Sequence, residues 1–278
     1  MSSTAPAPRY YPKEIGNILY DPGKNLVGFH VIIDGNLVSH AQVHAKIVEK
    51  MSKYAGTIRF IKIYSYLHCN DIALVFFFDI TGKKVDPHAI LADLQSVPVF
   101  KSVQLIKPIK EGLIFDTYSF PPLYAGEKAI IFHKAMYEAF IKELRDKYGP
   151  AFNAILYHIG FQVGHRSYIA HVEKYGEDPE TLFTIASENA KQLGHGIFQL
   201  IKYGPKEAIV RVYENFECQL FEKADKPQSH LVRGMIAGFL AAMWNLEMGD
   251  VNAVETACMA TGSPYCQFHI TRKTRKIL

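Results

Sequence analysis

Glu255-Thr-Ala-Cys258-Met-Ala-Thr-Gly262-Ser263-Pro264-Tyr-Cys266-Gln-Phe-His269 places two of the chain's four cysteines on either side of a Gly-Ser-Pro turn, with a carboxylate three residues upstream. Glycine, serine and proline are turn formers, and the flanking runs 251–259 and 265–270 read as strands. A hairpin would bring Cys258 and Cys266 together. Zinc sites are tetrahedral and take thiolate, imidazole and carboxylate ligands, so Glu255, Cys258 and Cys266 supply three of suitable type. Reduced thiols filling the hairpin core, or a cross-hairpin disulfide, remain open alternatives.

Two upstream segments share a pattern. Asn153-Ala-Ile-Leu-Tyr157-His-Ile-Gly160-Phe161-Gln-Val-Gly164 and Pro227-Gln-Ser229-His230-Leu-Val-Arg233-Gly234-Met-Ile-Ala-Gly238-Phe239 each put two glycines four residues apart. That spacing removes two side chains from one helix face and lets a neighbouring backbone or a ligand approach. In a bilayer it would suggest helix dimerisation, but His158, His165, Arg166 and Arg233 argue for a soluble setting.

With the hairpin, these segments resemble the 4-vinyl reductase domain superfamily, which includes the sensor domain of phenol-responsive regulators. The resemblance covers the second half of the chain. It implies an α+β ligand-binding domain, a homodimer, and a small hydrophobic or aromatic ligand near Phe239. Tyr157, Phe161, Phe183 and Trp244 are the expected neighbours, although a packed aromatic core explains each of them as well. It also implies a structural zinc on Glu255, Cys258 and Cys266, completed by a cysteine at the start of the last helix. This chain has Ser229 there, and a hydroxyl is a poor zinc ligand. Cys218 or His230 could supply the fourth position, although one residue along a helix turns a side chain by about 100°. The superfamily fold also resembles subunits of vesicle-tethering complexes, so a lipid-binding scaffold is the second reading.

The first hundred residues alternate differently. Strands are expected at 26–33, 57–67, 71–80 and 102–107, with helices after Ser39 and after Asp86-Pro87, where a cap precedes proline at the first helical position. The order β-α-β-β-α-β is a ferredoxin-like split unit and looks like an ACT domain, whose effector loop would be Asp34-Gly35-Asn36. Pro108 cannot donate to a ladder, so the last strand stops there and a linker follows. The expected organisation is a flexible arm at 1–20, an ACT-like domain at 21–111 and a 4-vinyl-reductase-type domain at 112–278. In the latter, helices are expected at 125–147, 151–168, from Asp178-Pro179, and at 227–246, with strands at 197–203, 207–212 and 216–221. The first of these helices would turn Ile130, Ala135, Ala139, Phe140 and Leu144 to a core.

Composition narrows the function. The 278 residues are 49% hydrophobic and 21% charged, which fits a folded chain long enough for two domains. The excess of four basic residues lies in Arg272, Lys273, Arg275 and Lys276, so no basic face for nucleic acid is expected. No apolar run reaches membrane-spanning length, no signal peptide is evident, and four unevenly spaced cysteines suggest reduced thiols in the cytoplasm. Dinucleotide, Walker and nucleophile-elbow motifs are missing from the sequence. His195, between Gly194 and Gly196, is the sole acid–base candidate and is expected in an exposed loop. No redox cofactor is expected, and a small-molecule-sensing regulator is favoured over an enzyme.

Overall fold

The computed structural model describes residues 11–36, 40–54, 57–65 and 70–273. Contacts divide the chain into two units, Met1–Ile130 and Ile131–Leu278.

In the first unit, β1 (Ile18–Tyr20) precedes β2 (Leu26–Asp34), α1 (His40–Ser52), β3 (Thr57–Ser65), β4 (Asp71–Asp79), α2 (Pro87–Gln95) and β5 (Phe100–Ile106). β6 (Leu113–Phe115), β7 (Leu123–Tyr124) and β8 (Glu127–Lys128) follow. The main sheet runs β3-β4-β2-β5, antiparallel throughout. Its central strands, β2 and β4, are buried along nearly their whole length. That explains why they read as unbroken apolar runs rather than alternating ones. One face packs Phe29, Val31, Phe76 and Phe78 against Ile47 and Met51 of α1 and Ile90 and Leu94 of α2. Asp86 caps α2, accepting a hydrogen bond from His88 N at 2.9 Å, with Pro87 first in the helix.

The other face carries Val75, Phe77 and Ile106 and is covered by Ile114 of β6. β6 pairs with β1 in a two-stranded ribbon. Gly28 makes room for it, since a Cβ there would meet Phe77, Ile114 and Ile106 within 3.1 Å. The segment read as a linker is therefore a turn at Gly112 (φ +70°) that returns the chain to the sheet. The Asp34–Asn36 loop is closed by Asn36 N donating to Asp34 Oδ1 and Gly35 N donating to Asn70 O. Ser39, the expected cap of α1, and the His68-Cys69 turn lie outside the described residues.

The second unit begins with α3 (Lys134–Glu138), a π-turn (Ala139–Glu143) and α4 (Leu144–Tyr148), then α5 (Pro150–Tyr175) and α6 (Pro179–Gln192). β9 (Ile197–Tyr203), β10 (Glu207–Tyr213), α7 (Leu231–Met243), β11 (Val251–Ala257) and β12 (Cys266–Arg272) complete it. The sheet order is β11-β12-β10-β9, again antiparallel. Helices and a small antiparallel sheet give an α+β unit with one main core. Asp178 caps α6 through Thr181 N at 2.8 Å, with Pro179 first, as its dipeptide signals. Among the described residues no helix is long and apolar enough to cross a membrane.

Several expectations need correction. The helix expected over 125–147 starts only at Lys134, because Ala125 (φ 53°) and Gly126 (φ 90°) form the turn between β7 and β8. Ile130 therefore precedes the helix and is exposed, and at the π-turn Ile141 is buried while Phe140 is exposed. The strand expected over 216–221 is a single 3-10 turn, Cys218–Leu220, closed by Phe221 N to Cys218 O at 3.0 Å. Burial of alternate residues there comes from packing, not from a ladder. The helix at 151–168 continues to Tyr175, and that at 227–246 shortens to Leu231–Met243.

Candidate metal centre and neighbouring cavities

The four glycines lock α5 against α7. A Cβ on Gly160 would lie 2.1 Å from Leu231 O, on Gly164 1.9 Å from Met235 O, on Gly234 2.2 Å from Tyr157 O, and on Gly238 2.0 Å from Phe161 O. The two backbones therefore touch, and no side chain fits between them. This crossing fixes the start of α7 beside the β11–β12 hairpin.

The hairpin then delivers its ligands. A bulge between Glu255 and Ala257 inserts one extra residue in β11. Without it, alternation would turn 255 and 257 inward; with it, Glu255 and Cys258 both point in. Cys266 points in from β12, and Gly262 (φ 95°) closes the turn, while Ser263 N donates to Cys258 O at 3.1 Å. The 3-10 turn before α7 brings Cys218 to the same point. Its Sγ lies 3.4 Å from the sulfurs of both Cys258 and Cys266.

Cys218, Glu255, Cys258 and Cys266 are all buried, and their donor atoms lie within 4.8 Å of one another. A tetrahedral zinc with Zn–S bonds of about 2.3 Å has sulfur–sulfur edges of about 3.8 Å. The two 3.4 Å separations are within a few tenths of that, so the donor set fits a zinc-sized ion in type, number and spacing. Cys218 is thus the fourth residue whose donor atom lies with those of Glu255, Cys258 and Cys266. His230 does not join the cluster; its N donates to Glu217 and its ring nitrogen lies 3.4 Å from Arg233.

Ser229 nevertheless belongs to the site. Its N donates to Glu255 Oε2 at 3.0 Å and its hydroxyl to Oε1 at 2.8 Å, while Asn215 Nδ2 donates to the hydroxyl at 2.9 Å. Burial, with Cys258 beside it, pushes the Glu255 carboxyl up to about 8. The thiols of Cys218 and Cys258, with Met259 N, hold Cys266 down at about 4, while Cys258 and Cys266, with burial, push Cys218 up. A bound dication would favour the ionised form of the groups that hold it.

A second buried carboxylate, Glu217, holds the helix. It accepts from His230 N, Leu231 N and Val232 N at 2.8, 3.1 and 3.0 Å, supplying the N-cap of α7 from outside the helix. Arg145 lies 3.7 Å from it and donates to Gln228 O at 2.9 Å. Sequence reasoning missed Arg145, Asn215, Glu217 and the role of Ser229. No local signal marks Glu217, which sits among other polar residues, Glu214, Asn215 and Gln219.

The aromatic residues separate. Phe161, Phe183, Phe239 and Trp244 are buried in one core, with Phe183 edge-on to Phe239 at 6.2 Å. Phe183 also lines a cleft of about 680 Å³ between α6 and β9, with Phe198, Leu200, Tyr203 and Met243. Tyr157 lines a different cavity, about 550 Å³, at the N-terminal ends of α5 and α7. Phe161, Phe239 and Trp244 line neither. His195 is not exposed: its ring packs 5.3 Å from Phe216, and burial lowers its pKa.

The hairpin and its ligands lie in a segment with known counterparts. Residues 208–272 match the 4-vinyl reductase domain. That segment includes all four candidate ligands and both β-strands of the hairpin. An uncharacterised protein of Methanocaldococcus jannaschii, MJ0150, is 28% identical over 120 residues, 43% of this chain and 65% of that protein. The chain thus spans less than two thirds of that relative's length. Among solved structures, the phenol-responsive sensory domain of the transcription activator PoxR, with phenol, is 19% identical. It covers 54% of this chain and 79% of its own, with a TM-score of 0.47. A vinyl-4-reductase family protein from M. jannaschii is 16% identical, covering 52% and 85%, with a TM-score of 0.37. A trafficking protein particle complex subunit 3 from Naegleria fowleri, covalently bound to palmitic acid, is 17% identical, covering 50% and 92%, with a TM-score of 0.36.

Proposed function

We propose that this protein is a non-enzymatic sensor of a small hydrophobic or aromatic molecule, with a structural zinc bracing the 4-vinyl-reductase-type unit. The observation that carries the reading is the α6–β9 cleft, whose wall residue Phe183 abuts Phe239 on α7. Its volume falls in the usual range for small-ligand sites. A ligand against Phe183 and Tyr203 would press on α7 through Phe239. The other end of α7 begins beside Ser229 and the cysteine–glutamate cluster. Zinc held by Cys218, Glu255, Cys258 and Cys266 would keep that end fixed, so ligand energy goes into moving the helix body rather than loosening its start. The ligand biases the two arrangements only by its difference in affinity for them.

The outer face of α5 supports a homodimer. Ile155, Ile159 and Val163 are exposed at four-residue spacing, and Met136 and Phe140 are exposed on the preceding segment. A helix that buries one face and leaves an apolar stripe on the other is built to be covered. The first unit, with its helices on one sheet face, is proposed as an ACT-like regulatory module.

Calorimetric titration of the full chain with phenol tests the sensor reading. Wild type binds and Phe183→Ala weakens binding at least about tenfold, as expected for loss of an aromatic wall. Unchanged affinity in that variant would remove the cleft from the mechanism.

A further inference from the structure

The second cavity, at the N-terminal ends of α5 and α7, is chemically unlike the first. Its lining includes Asn153, Tyr157, His158, His230, Arg233 and Met248, and no acidic side chain. Arg233 stands over the Tyr157 ring, its guanidinium carbon 5.0 Å from the centroid. Among the described residues no carboxylate comes within 4.0 Å of that guanidinium, and its Nε is buried without a hydrogen-bond partner. His230 Nδ1 lies 3.4 Å from Arg233 Nη2. His230 brings no negative charge in either protonation state, and burial with the two nearby arginines holds its pKa down at about 4.

The contrast with Arg145 is instructive. That arginine, packed against the same helix start, has Glu217 at 3.7 Å and two bonds to Gln228. Glu217 also takes the first free N–H groups of α7, so the helix terminus itself has no need of an anion. Of these two arginines, Arg233 has no carboxylate partner among the described residues. A partly desolvated guanidinium stacked on an aromatic ring and facing a cavity is a carboxylate receptor in need of a carboxylate.

Asn153 also lines the cavity. Its Oδ1 is buried and has no hydrogen-bond partner. With almost no accessible surface, that oxygen is not itself open to a ligand, and Asn153 contributes as a lining residue only. Tyr157 and Met248 supply an apolar wall. The volume, about 550 Å³, suits a compact organic molecule.

The geometry points to this cavity as a second ligand site, for a small aromatic or apolar carboxylate, with Arg233 as the anion-binding residue. One guanidinium balances a monoanion; the doubly charged form of a phosphate would be left with a charge to spare. The site does not depend on the α6–β9 cleft, and the two proposals can fail separately.

The test is calorimetric titration of the full chain with benzoate, with phenol and inorganic phosphate as comparators. Three variants are used: Arg233→Met, Arg233→Lys and Phe183→Ala, each checked for its near-ultraviolet dichroism. Benzoate is expected to bind wild type, to lose at least about tenfold in affinity in Arg233→Met, and to fall between the two in Arg233→Lys, which keeps the charge without the fork. Phe183→Ala should leave benzoate binding in place, whatever it does to phenol. Equal affinity of wild type for phenol and benzoate at this site, retention of benzoate binding in Arg233→Met, or no benzoate binding up to roughly millimolar concentration would each overturn the inference. Phosphate displacing benzoate at equal concentration would overturn the carboxylate assignment. If Arg233→Met fails to fold, Arg233→Lys decides: unaltered benzoate affinity there rejects the bidentate role.

Discussion

Gly238→Ala is the sharpest test of how the second unit is held together. In an isolated helix the change is favourable by about 1 kcal/mol, because alanine costs less backbone entropy. Here the added Cβ would sit 2.0 Å from Phe161 O and 2.7 Å from Phe161 C, where ordinary contact begins at 3.4 Å. About 1.4 Å must be found by separating α5 from α7 or rotating one of them. The obstacle is backbone rather than the end of a flexible side chain, so it cannot swing aside. Gly160, Gly164 and Gly234 are fitted as closely along the same crossing, so the strain cannot be relieved locally. Overpacking of this kind costs about 1–3 kcal/mol, occasionally more. The upper end applies here, and after the propensity gain we expect a net loss of about 2 kcal/mol. For a unit of this size that lowers the melting temperature by about 4–8 °C. Calorimetric melting of wild type, Gly238→Ala and Gly249→Ala measures it. Gly249 has nothing within 4 Å of its would-be Cβ and serves as the control. If Gly238→Ala melts at or above wild type, the helices are not in backbone contact and the account of how α7 is positioned is wrong.

Two further outcomes follow from the site. Native mass spectrometry of protein purified without chelator should show one zinc per chain in a dimer. The metal should be lost in Cys218→Ala and regained in the Cys218→Ala/Ser229→Cys double variant; a bare Cys218→Ala that keeps its zinc would remove Cys218 from the ligand set. Acid stability should report His230, whose folded-state pKa is depressed from 6.5 to about 4, chiefly by burial and then by Arg145 and Arg233. A depressed value means its contribution is present above pH 6.5 and is lost as pH falls towards 4, because the unfolded chain takes up the proton first. His195 and His171, also lowered by burial, act in the same direction. Denaturant midpoints between those pH values should therefore fall less steeply in His230→Gln than in wild type, and an identical slope would contradict the assignment.

What could be read from the chain alone was local. The Gly-Ser-Pro turn, the caps Asp86-Pro87 and Asp178-Pro179, the paired glycines and the order of elements in the first unit each depend on a few consecutive residues. Their physics (left-handed glycine, a proline fixed at the first helical position, two side chains missing from one helix face) acts within a turn or two. The sequence could therefore say that α5 and α7 invite close approach, and that Glu255, Cys258 and Cys266 share one hairpin.

The tertiary structure decided the rest. Cys218 meets its partners across 40 and 48 residues of chain, from a 3-10 turn that imitates a strand in its burial pattern. Glu217 accepts from the start of a helix 13 residues later, and Arg145 reaches Gln228 across 83. The burial of Ile141 rather than Phe140 in the segment before α5 falls at a π-turn that no periodicity records. The five aromatic residues also share one chemistry in the sequence, yet they divide between core, cleft and a separate arginine-lined cavity. Contacts of this range are set by which surfaces meet when the units fold, and single-residue preferences carry no information about that meeting.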